Sequence, residues 1–206
     1  AQQTLDYVQA LYEKKLVTYP RTDSRFLTED MAEMLPELVA ATVAVCFPEA
    51  GTVSANAGQV INSKKVTDHH AIIPTKEVQN YSISDLPKGE LEILKLIAKR
   101  LLTAVSAPCR YAETTAEIFC GGTAFKAKGK TVLSAGWKEI EEKCGSKKKK
   151  DKANILPHLQ ENTTLPLLSA EVKEGKTTPP KHFTEDTLLQ SMETAGANEM
   201  PDEAER

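Results

Sequence analysis

The spacing of apolar residues changes character near Cys109, and that change limits what the chain can fold into. Before it, apolar residues recur every three or four positions, the period of a helix. After it, short β-like runs are divided by Gly121–Gly122, Gly129 and Gly136. A helical part followed by a strand-rich part is an α+β chain. We place the boundaries at residues 1–107 for a helical domain, 108–177 for a β-rich segment and 178–206 for the opening of a further domain.

Several elements can be placed within that frame. Leu5, Val8, Leu11, Tyr12 and Leu16 outline a first helix. Thr28 is a candidate N-cap for a second, with Glu29 and Asp30 in its first turn. Pro36 ends that short helix and opens another running to about Cys46. Residues 48–88 read as loops with one short strand near Gln59-Val60-Ile61. Leu91, Leu94, Ile97, Leu101 and Val105 share one face of a helix over 89–106. Strand candidates follow at 110–120, 123–128, 131–139 and 163–172. Residues 175–180 read as a linker, and a helix begins near His182 with Thr184 as its cap.

Composition excludes some functions. The net charge of −3 argues against a uniformly basic nucleic-acid binder. The charge is uneven, because the acids from Glu185 to Glu205 face Arg206 alone and the rest of the chain is mildly basic. Lys147–Lys150 form a basic run, read as a solvated loop or a phosphate-contacting one. With aromatics at 5%, a stacking platform for nucleic acid is disfavoured. No apolar run is long enough for a membrane-spanning helix, so no membrane partner is expected. Cys46, Cys109, Cys120 and Cys144 contain no Cys-x-x-Cys pair, which weakens zinc and redox readings. With no secretion signal, we expect reduced cysteines and a cytoplasmic location.

Three segments hold residues suited to chemistry. Tyr19 precedes Pro20, which pushes it into extended backbone. In extended chain, residues i and i+2 share a side. Tyr19, Arg21 and Asp23 therefore align on one face, with Thr18 and Thr22 on the other. A phenol beside a permanent cation is what a tyrosine nucleophile attacking a phosphodiester requires, and Asp23 could orient the Arg21 guanidinium. Packing plus a surface charge is the commoner use of such a pair. The second segment is Thr67 to Thr75, with adjacent His69 and His70. One can face a site for phosphate contact or proton transfer while the other packs or meets solvent. His158 and His182 are remote in sequence, so no metal site is indicated. The third segment, Pro179 to Leu189, places His182 and Thr184 at a helix N-terminus, where backbone phosphates can bind.

Leu11 through Ser24, containing Thr18-Tyr19-Pro20-Arg21-Thr22-Asp23-Ser24, resembles the active-site motif of the type IA DNA topoisomerases. Asp68-His69-His70-Ala71-Ile72-Ile73-Pro74-Thr75 resembles that family's second motif, and Pro179-Pro180 through Leu189 a third. Order and separation fit as well. Within the family, the resemblance is strongest to the bacterial topoisomerase III branch of plasmids and conjugative elements.

The resemblance implies roles. Tyr19 would be the nucleophile that forms a 5′-phosphotyrosyl link to one DNA strand. Arg21 would lie beside the scissile phosphate, and His69 would contact phosphate and control cleavage. His70 falls at a less informative position. Thr184 would touch the DNA backbone. His182 stands where many members carry Arg, which weakens its expected DNA contact. The implied fold is a multidomain toroid. This chain would supply its winged-helix-like helical domain, part of a β-rich arch and the start of the ring-closing domain. Mg²⁺ would belong to a domain of the parent enzyme that is not present in this sequence, and the fragment alone would be inactive. Expected partners are DNA, mainly single-stranded, and the remaining domains of the parent, in the bacterial nucleoid or on mobile DNA. A non-catalytic single-stranded DNA-binding module is the alternative. A tyrosine recombinase, which links to the 3′ phosphate instead, fits the motif set poorly.

Overall fold

A computed structural model describes residues 2–145, 155–157 and 159–195. The lysine run, His158 and the end of the acidic tail lie outside the described residues. Chain contacts divide the protein into two units, residues 1–161 and 162–206.

The first unit is built on three helices. Helix α1 spans Gln2–Glu13, α2 spans Leu35–Cys46 and α3 spans Lys88–Val105. Their apolar faces meet in one core. Leu11, Leu38, Leu94, Leu102 and Val105 are wholly buried there. The core also takes Leu16, Val17, Leu27, Ile73 and Val78 from the intervening loops, so the loops are anchored rather than free. Gly89 lets α3 begin against α1: a Cβ at that position would lie 2.4 Å from the Tyr7 ring. Close by, Lys14 pairs with the buried Glu90 at 2.9 Å.

The loops differ from expectation in two places. Thr28 heads only a single 3₁₀ turn, Glu29–Met31, and its side chain makes no cap bond. The Glu29 N–H instead donates to Ser63 Oγ at 3.0 Å, a long-range acceptor that supplies what the local cap would have given. No strand forms at 59–61. Ile61 makes one isolated parallel bridge to Leu27, and the preceding residues coil into a 3₁₀ turn.

Beyond α3 the chain forms a two-stranded antiparallel hairpin. Strand β1 spans Arg110–Cys120 and β2 spans Thr123–Ser134. Gly121 and Gly122 both have positive φ, as a tight two-residue hairpin loop needs. Two cross-strand contacts hold the register. Glu117 faces Lys126 with a 2.7 Å ion pair, and the Lys130 ammonium lies 3.3 Å from the Tyr111 ring centroid.

The expected break at Gly129 is absent. That residue pairs with Thr114, so β2 runs through it. The expected strand to residue 139 ends early. Gly136 turns the chain at φ +51, where a Cβ would meet the Ala107 carbonyl oxygen at 2.4 Å, and helix α4, Trp137–Lys143, follows. Ile140 and Cys144 from this region return to the main core.

The α+β class is as expected: the described residues form helices and one antiparallel strand pair. Residues 163–172, expected as a strand, carry no regular structure. A strand needs a neighbour to take its backbone groups, and no described strand pairs with this segment. Leu167, Leu168 and Val172 are correspondingly exposed. Among its described residues the second unit has one helix, α5, Glu185–Glu193. Among the described residues no helix is long and apolar enough to cross a membrane.

All four cysteines are free. Burial pushes the Cys46 thiol up from its ordinary 9.0 to about 11, and burial also raises that of Cys144. The folded chain therefore holds the neutral thiol. The stability this gives is intact below pH 9.0 and is lost as pH rises towards about 11. Urea unfolding at pH 8 and 10.5 is expected to show a smaller alkaline loss in Cys46→Ala than in the parent. Equal losses would show that Cys46 carries none of the effect.

Candidate active site around Tyr19

The site begins at the end of α1. Lys15 takes a left-handed backbone at φ 60. Its N–H donates to the Tyr12 carbonyl at 2.8 Å, and the Leu16 N–H reaches back to the Leu11 carbonyl at 2.9 Å. This is the Schellman pattern, completed by apolar contact between its first and last members. Leu11 and Leu16, both wholly buried, occupy those positions. The Thr75 hydroxyl holds the Lys15 carbonyl from across the loop. The motif stops the helix and aims the next residues away from it.

Lysine is a costly residue at such a φ. Lys15→Gly is expected to hold or raise stability by up to about 1 kcal/mol, and Lys15→Val to lower it by about 1–2 kcal/mol. Thermal unfolding would measure both. Equal effects would contradict the backbone argument.

The segment that follows is stitched to residues 69–75, largely by hydroxyls. Val17 bridges Pro74 in antiparallel sense. The Thr18 N–H donates to the Ile73 carbonyl at 2.9 Å. Thr18 Oγ1 donates to the Ala71 carbonyl at 3.2 Å and accepts the Ile73 N–H at 3.0 Å. Thr22 Oγ1 donates to the His69 carbonyl at 2.7 Å. Further along, the Ala71 N–H donates to the Phe26 carbonyl at 2.9 Å, and Ser24 Oγ donates to the Lys65 carbonyl at 2.9 Å. Both threonines thus turn to the histidine segment, as the alternation of extended chain requires.

Tyr19, between them, lies half-buried among aromatic rings. Its ring centroid is 4.4 Å from that of His69, tilted by 46°, and 5.4 Å from that of Tyr12, edge-on at 79°. Arg21 is exposed two residues on. Asp23 accepts a hydrogen bond from the Thr67 hydroxyl at 3.2 Å. Among the described residues no ion pair joins it to Arg21, so the expected orienting contact is replaced by one that ties Asp23 to the loop before the histidines.

An open depression of about 540 Å³ adjoins Tyr19. Tyr12, Lys15, Thr18, His70 and Thr75 are among its other lining residues. His70 Nδ1 lies 2.8 Å from the Ala71 carbonyl. A carbonyl oxygen only accepts, so Nδ1 carries the hydrogen. His69 meets the Tyr19 ring, and His70, which carries little weight from sequence alone, lines the same depression. From sequence Tyr12 reads only as part of the first helix's apolar pattern, and Lys15 has no assigned role. The seven-residue step from Tyr12 to Tyr19 crosses a helix end, where helical spacing predicts nothing.

His182 and Thr184 belong to the second unit. Thr184 is the N-cap of α5 as expected. Its Oγ1 accepts the Thr187 N–H at 3.2 Å, and Thr187 Oγ1 accepts the Thr184 N–H at 2.8 Å. Among the described residues no group of three or more His, Cys, Asp or Glu could hold a metal.

A protein-family model described as DNA topoisomerase matches residues 1–197. The chain belongs to that family. Among its relatives, DNA topoisomerase 3 of Bacillus licheniformis is 40% identical over 205 residues, covering 96% of this chain. The corresponding proteins of Bacillus subtilis and Vibrio cholerae are each 39% identical, over 96% and 93% of the chain. This places the chain among the type IA topoisomerases, on the topoisomerase III side. It spans only 28–30% of the length of these relatives. The extended segment carrying Tyr19 and the histidine segment beside it both fall within the matched residues.

Proposed function

We propose that this chain is the tyrosine-bearing part of a topoisomerase that cuts one DNA strand, passes another and reseals the first. The observation that carries the reading is Tyr19 held ring to ring with His69, 4.4 Å apart, on a segment whose next outward residue but one is Arg21.

In the proposed reaction, Tyr19 Oη attacks the scissile phosphorus. An O–P bond to the phenol forms as the P–O3′ bond breaks. The phenol gives up its proton to solvent as it attacks, the departing 3′ oxygen takes one from solvent and becomes a free hydroxyl, and the phosphate stays on the 5′ end of the downstream strand. Resealing is the reverse. A phenol with a pKa of about 10 is a far better leaving group than an alkoxide, so the phosphodiester energy is conserved without ATP. The Arg21 guanidinium offers paired donors to the non-bridging oxygens and stabilises charge as phosphorus changes partners. His69 restrains the Tyr19 ring and brings a second donor to the phosphate.

The described residues offer no donor set that fits Mg²⁺, so no step here runs through it. We place the metal on another part of the complete protein. Exposed hydrophobic side chains on the hairpin, Phe119 and Phe125 among them, fit completion by strands from elsewhere in the parent. Thr184, with His182 two residues before it, would contact the DNA backbone from the second unit.

Single-stranded oligonucleotides labelled at either end, incubated with the complete protein and Mg²⁺, test the reading. The expected result is a denaturant-resistant adduct that retains the downstream piece through its 5′ phosphate. An adduct at the 3′ phosphate would favour a recombinase-like mechanism. Binding with no adduct would favour a single-stranded DNA-binding module. This chain alone is expected to leave supercoiled plasmid unrelaxed.

A further inference from the structure

Two of the four thiols are buried together, and strand cleavage uses neither. Cys46 is the last residue of α2, and the 3₁₀ turn Pro48–Ala50 begins two residues on. Cys144 comes directly after α4. Its N–H donates to the Ile140 carbonyl at 2.9 Å, and that four-residue step sets both side chains on one face of the helix. Helix α4 packs on α3 and on the Pro48–Ala50 turn. Its inward face therefore meets the end of α2, and Cys46 and Cys144 join one buried cluster. The charges around them agree. Burial leads in raising the Cys46 thiol, Lys95 of α3 opposes it and Cys144 adds to it. Burial also leads at Cys144, with Glu49 of the turn adding and Lys99 of α3 opposing. Cys109 and Cys120 show the contrast. One precedes β1 and the other ends it, so extended chain holds them roughly 35 Å apart, far beyond bonding reach.

We propose that Cys46 and Cys144 are a thiol–disulfide pair whose oxidised form staples α4 to the end of α2. The oxidant is a low-molecular-weight disulfide. The Cys144 thiolate attacks one of its sulfurs and expels the first small thiolate, leaving a mixed disulfide. The Cys46 thiolate then attacks the Cys144 sulfur, the mixed bond breaks and the second small thiolate leaves. The two protons lost by the protein end on the two released thiols. The small disulfide gains the two electrons that the protein pair loses. Both thiols are buried and neutral in the folded chain, so exchange waits on α4 lifting from its seat. A helix of seven residues has little stability of its own and opens readily.

The staple bears on the hairpin. Helix α3 leads into β1 through Ala107 and Pro108, and β2 returns through Gly136 to α4. The Trp137 N–H donates to the Ala107 carbonyl at 2.8 Å, so α4 closes the base of the hairpin. Bonding its far end to α2 fixes that base to the helical body. The bond also closes a loop of about 100 residues, which takes much freedom from the unfolded chain.

The test incubates the complete protein with oxidised glutathione at pH 8.5, in urea below the unfolding midpoint, and maps disulfides by mass spectrometry without reduction. A parallel sample with iodoacetamide in place of the oxidant reads whether Cys144 becomes accessible. The expected result is alkylation of Cys144 in the second sample and a peptide pair linked through Cys46 and Cys144 in the first, with glutathione on the exposed Cys120. Dithiothreitol should release the link. After removal of urea, the α4 amides of the linked protein should exchange with deuterium about tenfold more slowly than those of the reduced protein. Cys144→Ala should show neither the link nor the slowing. Cys144 that is alkylated yet never links to Cys46, or that carries only glutathione, would overturn the proposal. Cys144 that stays closed to iodoacetamide would overturn the opening of α4 on which it depends. A link that leaves α4 exchange unchanged would show that the bond staples nothing.

Discussion

Tyr19→Phe in the complete protein is expected to abolish the covalent adduct with DNA while leaving the fold untouched. The substitution removes one oxygen. Among the described residues that oxygen takes part in no hydrogen bond, so its loss should change stability by less than about 0.5 kcal/mol. The ring contacts with His69 and Tyr12 involve carbon that phenylalanine keeps. Cleavage, by contrast, has no route without a nucleophile. Loss of a catalytic nucleophile acts on the order of 10⁶-fold in well-studied hydrolases, so adduct should fall below detection. Non-covalent binding should persist, because the Arg21 cation and the basic residues of the body remain. Denaturing gels read the adduct, anisotropy reads binding and thermal unfolding reads stability. Residual adduct in the variant would show that another residue attacks the phosphate.

How much of this was legible in the sequence depended on how local the deciding interactions are. Helix α3 was readable because its apolar stripe is long and regular. The Thr184 cap was readable because both partners of its capping box lie within four residues. Strand β1 was bounded by a turn whose glycines are needed for their φ. The errors fall where distant contacts decide. Gly129 looked like a break, yet pairing with Thr114 carries the strand through it. Thr28 looked like a cap until Ser63 took its role. Helix α4 has seven residues, too few for a period to show.

The candidate site divides in the same way. Extended backbone at Tyr19 and the turning of Thr18 and Thr22 to one side follow from Pro20 and strand alternation. That His69 would meet the Tyr19 ring does not, because no local rule links segments so far apart in sequence; motif resemblance assigns His69 to the same phosphate but says nothing of a ring contact. The left-handed Lys15 had no glycine to announce it, and with it the rim of the depression went unread.

Thr18 gives the second large effect, through position rather than chemistry. Its hydroxyl donates to the Ala71 carbonyl and accepts the Ile73 N–H, on the segment that carries both histidines. Valine has nearly the same shape and neither function. Thr18→Val leaves the Ile73 N–H without its acceptor and takes one of two donors from the Ala71 carbonyl, which keeps His70 Nδ1; the stranded N–H costs about 1–3 kcal/mol where it stays buried. Ile73 is buried and Thr18 half-buried, so the cost should fall in the lower part of that range. Without the stitch, the two segments stay joined by the Thr18 N–H and the Thr22 hydroxyl but are held less closely at Tyr19, and the Tyr19–His69 contact loosens. A displacement of about 1 Å at a reacting group can cost on the order of 100-fold in rate. The expected outcome is a stability loss of about 1–2 kcal/mol with a cleavage rate far lower than that loss explains, measured where the variant is fully folded. Thr18→Ser keeps the hydroxyl and should restore most of the rate. The ring-current shift of the His69 protons, set by the Tyr19 ring 4.4 Å away, should shrink in Thr18→Val and return in Thr18→Ser. A variant that loses stability while keeping both the shift and the rate would show that the hydroxyl stitch supports the fold without positioning Tyr19.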